Sequence, residues 1–132
     1  MLYFKQVVKM TIKEVSEKYG LSKDTLRYYE KEGLIGPVAK GKNNQREYQE
    51  ENLNKIEFIK CMRSVNMPIS KLKTYMNLYA QGPSTLDSRK EILESQLDSI
   101  NMQLNDLKKA KERLIKKIEI YNQEQIKRDK EK

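Results

Sequence analysis

The sequence predicts an all-α fold that carries one small β-hairpin and ends in a long helix. Its 132 residues include only three prolines and five glycines, and 37% are apolar, which favours ordered helical structure over disorder or a β-sandwich. Capping residues precede several amphipathic stretches, and apolar residues follow a heptad pattern through the last third of the chain. A chain of this length has room for about one compact domain beside an extended element.

The charge of the chain predicts a polyanionic partner. Lys and Arg number 27 against 19 Asp and Glu, giving a formal net charge of +8 with no histidine. Either nucleic acid or an anionic membrane surface fits such an excess. No stretch reaches the roughly 18 apolar residues of a membrane span, and the first residues lack the long apolar run of a signal peptide. We therefore expect a cytoplasmic protein that does not insert into membranes.

The side chains on which most enzymes and metal sites depend are scarce. The chain has one cysteine, Cys61, and no histidine. One cysteine without histidine cannot form a disulfide within the chain, a CxxC zinc site, a cysteine-ligated iron–sulfur cluster or a Cys–His catalytic pair. No pair of carboxylates has a spacing that predicts acid–base chemistry. We expect no metal, no cofactor and no enzymatic activity.

Two short helices are predicted near the start of the chain. Thr11 opens a Thr-x-x-Glu capping box, so a first helix should cover residues 12–19 and end at Gly20. Ser22 can cap a second helix that ends before Gly33. Two such helices joined by a tight glycine-containing turn form a helix-turn-helix.

The second helix contains the sequence "RYY" at Arg27, Tyr28 and Tyr29. Successive helix residues are turned by about 100°, so the two rings cannot share a face, and at least one should point outward with the arginine. In a helix-turn-helix this face can enter a DNA groove. The side chains free to do so are Lys23, Arg27, Tyr28 and Lys31. The alternative is an ordinary surface helix, because three acidic residues balance its three basic ones.

A small hairpin is predicted after the second helix. The stretch "VAKGKNNQREY" places Gly and Asn between short β-prone flanks at residues 37–40 and 46–48. A hairpin directly after a helix-turn-helix is a wing, which can lay a basic tip of Lys40, Lys42 and Arg46 along a DNA backbone. The alternative is a polar surface loop. Two further helices should follow, at residues 52–65 and 69–79.

The final helix carries the strongest periodic signal. Apolar residues alternate at spacings of four and three over four heptads, which predicts pairing with a second copy of the chain. The predicted seam consists of Leu93, Leu97, Ile100, Leu104, Leu107, Lys111, Leu114, Ile118 and Tyr121. Lys111 in a seam costs stability but helps to fix register. A stripe packed within a monomer is the alternative.

The quoted motifs together resemble the MerR family of bacterial transcription regulators. The resemblance is carried by "TIKEVSEKYGLSKDTLRYYEKEGLIGP", a wing ending in "REY", "LNKIEFIKCMR" and the long last helix, and it runs from Met10 onward. It implies a winged helix-turn-helix, two further helices and an antiparallel dimeric coiled coil. It also implies a homodimer that binds a palindromic promoter site and distorts it, acting on RNA polymerase through the DNA.

The resemblance also implies site residues and a division into domains. The expected DNA-binding residues are Ser22, Lys23, Thr25, Arg27, Tyr28, Tyr29, Lys40, Gln45, Arg46 and Arg63. The expected segments are an N-terminal extension at 1–9, a DNA-binding domain at 10–80, a linker at 81–85, a coiled-coil helix at 86–124 and a polar tail at 125–132. Two departures from the family pattern concern the backbone. Asn44 and Gln45 replace a wing glycine and aromatic, and residues 66–68 replace a glycine-containing link.

The lone cysteine raises the question of what the protein senses. The stretch "IEFIKCMR" resembles the branch of the family that responds to aldehydes and other thiol-reactive electrophiles, which implies Cys61 as the sensor. Lys60 and Arg63 would favour its thiolate. The alternative is a small, inert residue of the core. For the whole protein, the alternative to a regulator is a coiled-coil scaffold whose basic residues serve solubility.

Overall fold

The computed structural model describes residues 8–131. The chain divides into two compact units, the first ending at Ile92 and the second beginning at Leu93. Its elements in chain order are β1 (Lys9–Met10), α1 (Ile12–Tyr19), α2 (Lys23–Lys31), β2 (Ala39–Lys40), β3 (Arg46–Gln49), α3 (Glu50–Ser64), α4 (Ile69–Ala80) and α5 (Leu86–Lys130). Short 3-10 turns occupy Lys42–Asn44 and Pro83–Thr85. The predicted class, helical with a small β wing, is confirmed.

The helix-turn-helix forms through the predicted local signals. Thr11 Oγ1 accepts the N–H of Glu14 at 3.2 Å, and the Glu14 carboxylate accepts the N–H of Thr11 at 3.0 Å, which completes the capping box. Gly20 ends α1 with φ of 66°, a left-handed conformation that glycine adopts without steric cost. Val15 and Leu26 are fully buried and join α1 and α2 to the same core.

The predicted hairpin is part of a three-stranded sheet with the order β1-β3-β2. Both neighbours pair antiparallel with β3, in a register that places Lys40 opposite Arg46 and Lys9 opposite Gln49. Strand β1 was not predicted. Lys9, which had been assigned to an extension without a role, is therefore a strand residue, whereas residues 1–7 lie outside the described part of the chain.

Helix α3 anchors the base of the wing to the core. Leu53, Ile56 and Ile59 are buried. The buried Asn52 donates from Nδ2 to the carbonyl oxygens of Ile35 at 2.7 Å and Pro37 at 3.2 Å, and its Oδ1 accepts the N–H of Gln49 at 3.0 Å. This last bond extends α3 back to Glu50, two residues before the predicted start.

The link between α3 and α4 keeps its turn without a glycine. Asn66 takes φ of 67°, and Asn is one of the few non-glycine residues that tolerate this region. The turn allows Met67 to be fully buried, and the N–H of Met67 donates to the carbonyl of Met62 at 3.0 Å. The substitution at residues 66–68 therefore preserves a tight link.

Helix α5 begins at Leu86, after the 3-10 turn at Pro83–Thr85, and continues for 45 residues to Lys130. In that turn Thr85 Oγ1 donates to the carbonyl oxygens of Leu78 at 2.6 Å and Gly82 at 2.8 Å. Residues 125–130, predicted as part of a polar tail, are helical.

Candidate nucleic-acid interface

Helix α2 begins with two hydroxyl groups that bond to each other. Ser22 is the N-cap, and its Oγ accepts the N–H of Thr25 at 3.0 Å while lying 2.8 Å from Thr25 Oγ1. Lys23 is exposed in the same turn. The start of α2 thus combines a positive dipole end, two hydroxyls and an ammonium group, which is a suitable surface for an anion.

The two adjacent tyrosines of α2 have opposite environments. Tyr28 is 45% exposed, whereas Tyr29 is 6% exposed and belongs to the core. Their ring centroids lie 6.2 Å apart with an interplanar angle of 51°. Both tyrosines are expected to contact the DNA. The structure places Tyr29 in the core and leaves Tyr28 as the more exposed of the two residues.

Arg27 lies beside Tyr28 on the exposed face. Its Nη1 pairs with Asp24 Oδ1 at 3.2 Å, and the side chains of Arg27 and Asp24 are 49% and 95% exposed. A pair this open to water contributes little to stability and is screened by salt. The guanidinium can therefore exchange Asp24 for a phosphate at small cost.

The wing places its polar side chains on an exposed turn. Lys40 and Gln45 are exposed. Between them Asn43 and Asn44 have φ of 61° and 60°, a left-handed conformation that asparagine tolerates better than most side chains. Gln45 still offers an amide but no aromatic ring.

Arg46, the first residue of β3 after the wing turn, is bonded to another side chain. Its Nε donates to Glu30 Oε2 of α2 at 2.5 Å, and the Arg46 and Glu30 side chains are only 33% and 21% exposed. Tyr48, two residues further on the same face of β3, is fully buried. Burial raises the pKa of the Tyr48 hydroxyl, and the nearby Glu30 carboxylate adds to this.

The helix-turn-helix and the wing line one open cleft. It is bordered by Thr11, Ile12, Lys13, Lys23, Asn44, Gln45 and Arg46. The structure therefore brings Lys23 close to Gln45 and Arg46, which lie more than twenty positions further along the chain. Lys13 was not among the predicted residues. It is an exposed cation in the first turn of α1, and only the packing of the wing against α1 reveals its place in the cleft.

Cys61 and Arg63 lie near the end of α3. Cys61 is exposed, so the alternative of a buried core cysteine is wrong. Arg63 donates from Nη1 to the carbonyl of Met67 at 2.9 Å and thereby braces the link between α3 and α4. Among the described residues no cluster of His, Cys, Asp or Glu could hold a metal ion.

The predicted seam of α5 is exposed in the single chain. Leu93 is 37% exposed, and the exposed fractions of Leu97, Leu107 and Leu114 are 56%, 66% and 65%. Exposed leucines at seam spacing leave an apolar stripe along the helix, which Lys111 interrupts. Within the described residues, no helix is long and apolar enough to cross a membrane.

Comparison with known proteins gives consistent matches. The model of the "MerR HTH family regulatory protein" matches residues 10–78, and that of "MerR, DNA binding" matches residues 53–116. The HTH-type transcriptional regulator AdhR of Bacillus subtilis is 45% identical over 84 residues, which are 64% of this chain and 60% of AdhR.

Solved structures match over more of the chain. A MerR family transcriptional regulator of Listeria monocytogenes is 37% identical with a TM-score of 0.80, and 86% of each chain is covered. HiNmlR, a MerR family regulator lacking the sensor domain and bound to promoter DNA, is 26% identical with a TM-score of 0.79. That match covers 88% of this chain and 92% of HiNmlR. With its family models, helix-turn-helix and wing in agreement, the chain belongs to the MerR family of helix-turn-helix, DNA-binding regulatory proteins.

Proposed function

We propose that this DNA-binding regulator controls transcription as a homodimer that binds a palindromic promoter site and distorts it. The observation that carries the proposal is the exposed surface of α2, where Arg27 and Tyr28 are adjacent and Lys23 borders a cleft shared with the wing. Charged and hydroxyl donors of this kind hold a phosphate backbone and fix the register of a helix in the groove.

Each predicted side chain receives a role from its surroundings. Side chains on the outer surface of α2 and of the wing contact the DNA directly, and Tyr29 and Arg63 hold others in place. The direct contacts are Ser22, Lys23, Thr25, Arg27, Tyr28, Lys40, Gln45 and Arg46. Tyr29 acts through its packing in the core, which fixes the rotation of α2, and Arg63 acts through the α3–α4 link. Residues 10–80 thus form the DNA-binding domain.

The homodimer is supported by the apolar stripe of α5. Residues 93–121 span about 40 Å at 1.5 Å per residue, and the exposed leucines along this length need a partner surface. A second copy of α5 in antiparallel orientation supplies the same stripe and gives each dimer two α2 helices. Two recognition helices related by a twofold axis match a palindromic site.

Distortion of the promoter is the proposed means of regulation. In a dimer that holds two half-sites by phosphate contacts, the free energy of those contacts can offset the free energy needed to bend or untwist the DNA between them. RNA polymerase then meets a promoter of altered shape without direct contact with the regulator. The protein therefore works where the chromosome and the polymerase are, in the bacterial cytoplasm.

An electrophilic inducer, which the thiolate of Cys61 attacks, is supported by the position of that residue. The side chain is exposed on α3, two residues before the Arg63 that braces the link to α4. An aldehyde or another electrophile would form a covalent adduct with the thiolate, shift α3 and change the angle between the two halves of the dimer. If Cys61→Ser leaves electrophile induction of the target promoter intact at a normal protein level, this part is wrong.

The proposal is tested by matched charge variants in a promoter assay. Arg27→Ala and Arg113→Ala remove the same charge, but Arg113 lies on α5, away from α2 in sequence and exposed. We expect Arg27→Ala to abolish the footprint on the gene's own upstream DNA and Arg113→Ala to keep it. Equal footprints for the two variants would contradict the role of Arg27. No footprint for the wild type on any selected genomic fragment would favour a coiled-coil scaffold.

A further inference from the structure

An acidic side chain, Glu30, lies near the end of α2, the helix that also carries Lys23 and Arg27. Glu30 follows Tyr29 and is 21% exposed, and its Oε2 accepts the Nε–H of Arg46 at 2.5 Å. The two residues are sixteen positions apart, so the bond joins α2 to the wing. It differs in kind from the pair of Arg27 with Asp24, whose carboxylate is 95% exposed.

The surroundings of this pair restrict what Arg46 can do. Arg46 and Tyr48 lie on one face of β3, and Tyr48 is fully buried with a hydroxyl that has no hydrogen-bond partner among the described residues. The charges of Glu30, Arg46 and Arg27 all act on that hydroxyl. Only a third of the Arg46 side chain is exposed, and its guanidinium is bonded on one side by Glu30.

We propose that Glu30 is a positioning residue for Arg46, holding Nε so that the Nη groups of the guanidinium present to a DNA phosphate at the cleft between the wing and α1. A guanidinium has donors on three nitrogens in a rigid fork, so one edge can bind the carboxylate while the other binds phosphate. An arginine that is already fixed loses less side-chain freedom when the DNA arrives. The inference rests on the proposed DNA binding.

The inference and simple electrostatics predict opposite changes in DNA affinity when Glu30 is neutralised. Glu30 is a negative charge on the face that meets a polyanion, so its neutralisation should tighten DNA binding if charge alone matters. If Glu30 positions Arg46, its neutralisation should weaken binding, because the phosphate contact loses its fixed geometry. Asp24 supplies the matched control, since it is also an acid of α2 paired with an arginine but is almost fully exposed.

The test is fluorescence anisotropy of the full-length chain on a labelled duplex from its own upstream region. We expect Glu30→Gln to weaken binding about tenfold, which corresponds to the loss of one charge-assisted hydrogen bond. We expect Asp24→Asn to bind as tightly as the wild type or more tightly. Arg46→Lys should weaken binding as much as Glu30→Gln. The ammonium group of lysine lacks the rigid fork of donors with which a guanidinium can bind the carboxylate and the phosphate at the same time.

The double variant separates positioning from a general loss of structure. If Glu30 acts through Arg46, adding Glu30→Gln to Arg46→Lys should cause no further loss of affinity. The active fraction of each variant, measured by stoichiometric titration, corrects for misfolded protein. Wild-type affinity or tighter binding by Glu30→Gln would overturn the inference alone, as would additive losses in the double variant. A wild type that does not prefer the upstream duplex would overturn the proposed function and the inference together.

Discussion

The turn between α3 and α4 provides a test of how asparagine replaces glycine. Asn66 has φ of 67°, a left-handed conformation that destabilises an ordinary L-residue by roughly 1–2 kcal/mol and asparagine by less. Asn66→Ala should therefore destabilise the protein by about 1 kcal/mol. Asn66→Gly should be neutral or slightly stabilising, because glycine adopts this conformation without steric cost.

This difference is measurable by thermal denaturation followed by circular dichroism at one fixed protein concentration. For a unit of 60–100 residues, 1 kcal/mol corresponds to a shift in Tm of about 4–8 °C. Asn54→Ala is the matched control, because Asn54 is an exposed residue within α3. There the same substitution should stabilise by a few tenths of a kcal/mol through helix propensity.

Two results would refute the reasoning about this turn. If Asn66→Gly destabilises as much as Asn66→Ala, the side chain of Asn66 rather than its backbone conformation matters. If Asn66→Ala unfolds at the wild-type midpoint, the link does not hold a left-handed residue, and the burial of Met67 needs another explanation.

Three further predictions concern other parts of the chain. Tyr48→Phe should stabilise the protein by about 1 kcal/mol, because it removes a buried hydroxyl with no partner in the described structure; a lower unfolding midpoint would contradict this. Lys73→Met should make the free energy of unfolding fall less steeply as the pH is lowered. The hydrogen bond from Lys73 lowers the pKa of the Glu32 carboxyl from its ordinary value. The pair therefore stabilises the fold above that ordinary value, and its contribution is lost as the pH falls through the lowered one. Equally steep acid unfolding of both proteins would contradict it, with Lys71→Met as the control on α4. Lys111→Leu should tighten the dimer several-fold in sedimentation equilibrium, and an unchanged dimer would argue against the seam.

Local signals were sufficient to predict the helix-turn-helix. The capping box at Thr11, the glycine at residue 20 and the cap at Ser22 each act within one helical turn, so their structure follows from adjacent residues. The wing turn followed in the same way, because asparagine tolerates the left-handed region that Asn44 occupies. These features depend little on the rest of the chain.

Features that depend on distant residues were not predicted. Strand β1 exists because Lys9 pairs with Gln49, and no pattern of two residues signals such a pairing. The bond between Glu30 and Arg46 likewise needs the wing packed on α2. Burial also decided between Tyr28 and Tyr29, because the sequence limits the rotation of a short helix but does not fix it. The exposure of Cys61 was open for the same reason.

The central claim is that the dimer recognises promoter DNA through α2 and the wing. The most direct measurement is the binding of the purified protein to a duplex from its gene's upstream region and to a shuffled duplex, across a series of salt concentrations. We predict two chains per upstream duplex, preference over the shuffled sequence and a steep fall in affinity with salt, as counterions released from neutralised phosphates require. Equal binding to both duplexes, with the same shallow salt dependence, would contradict the claim.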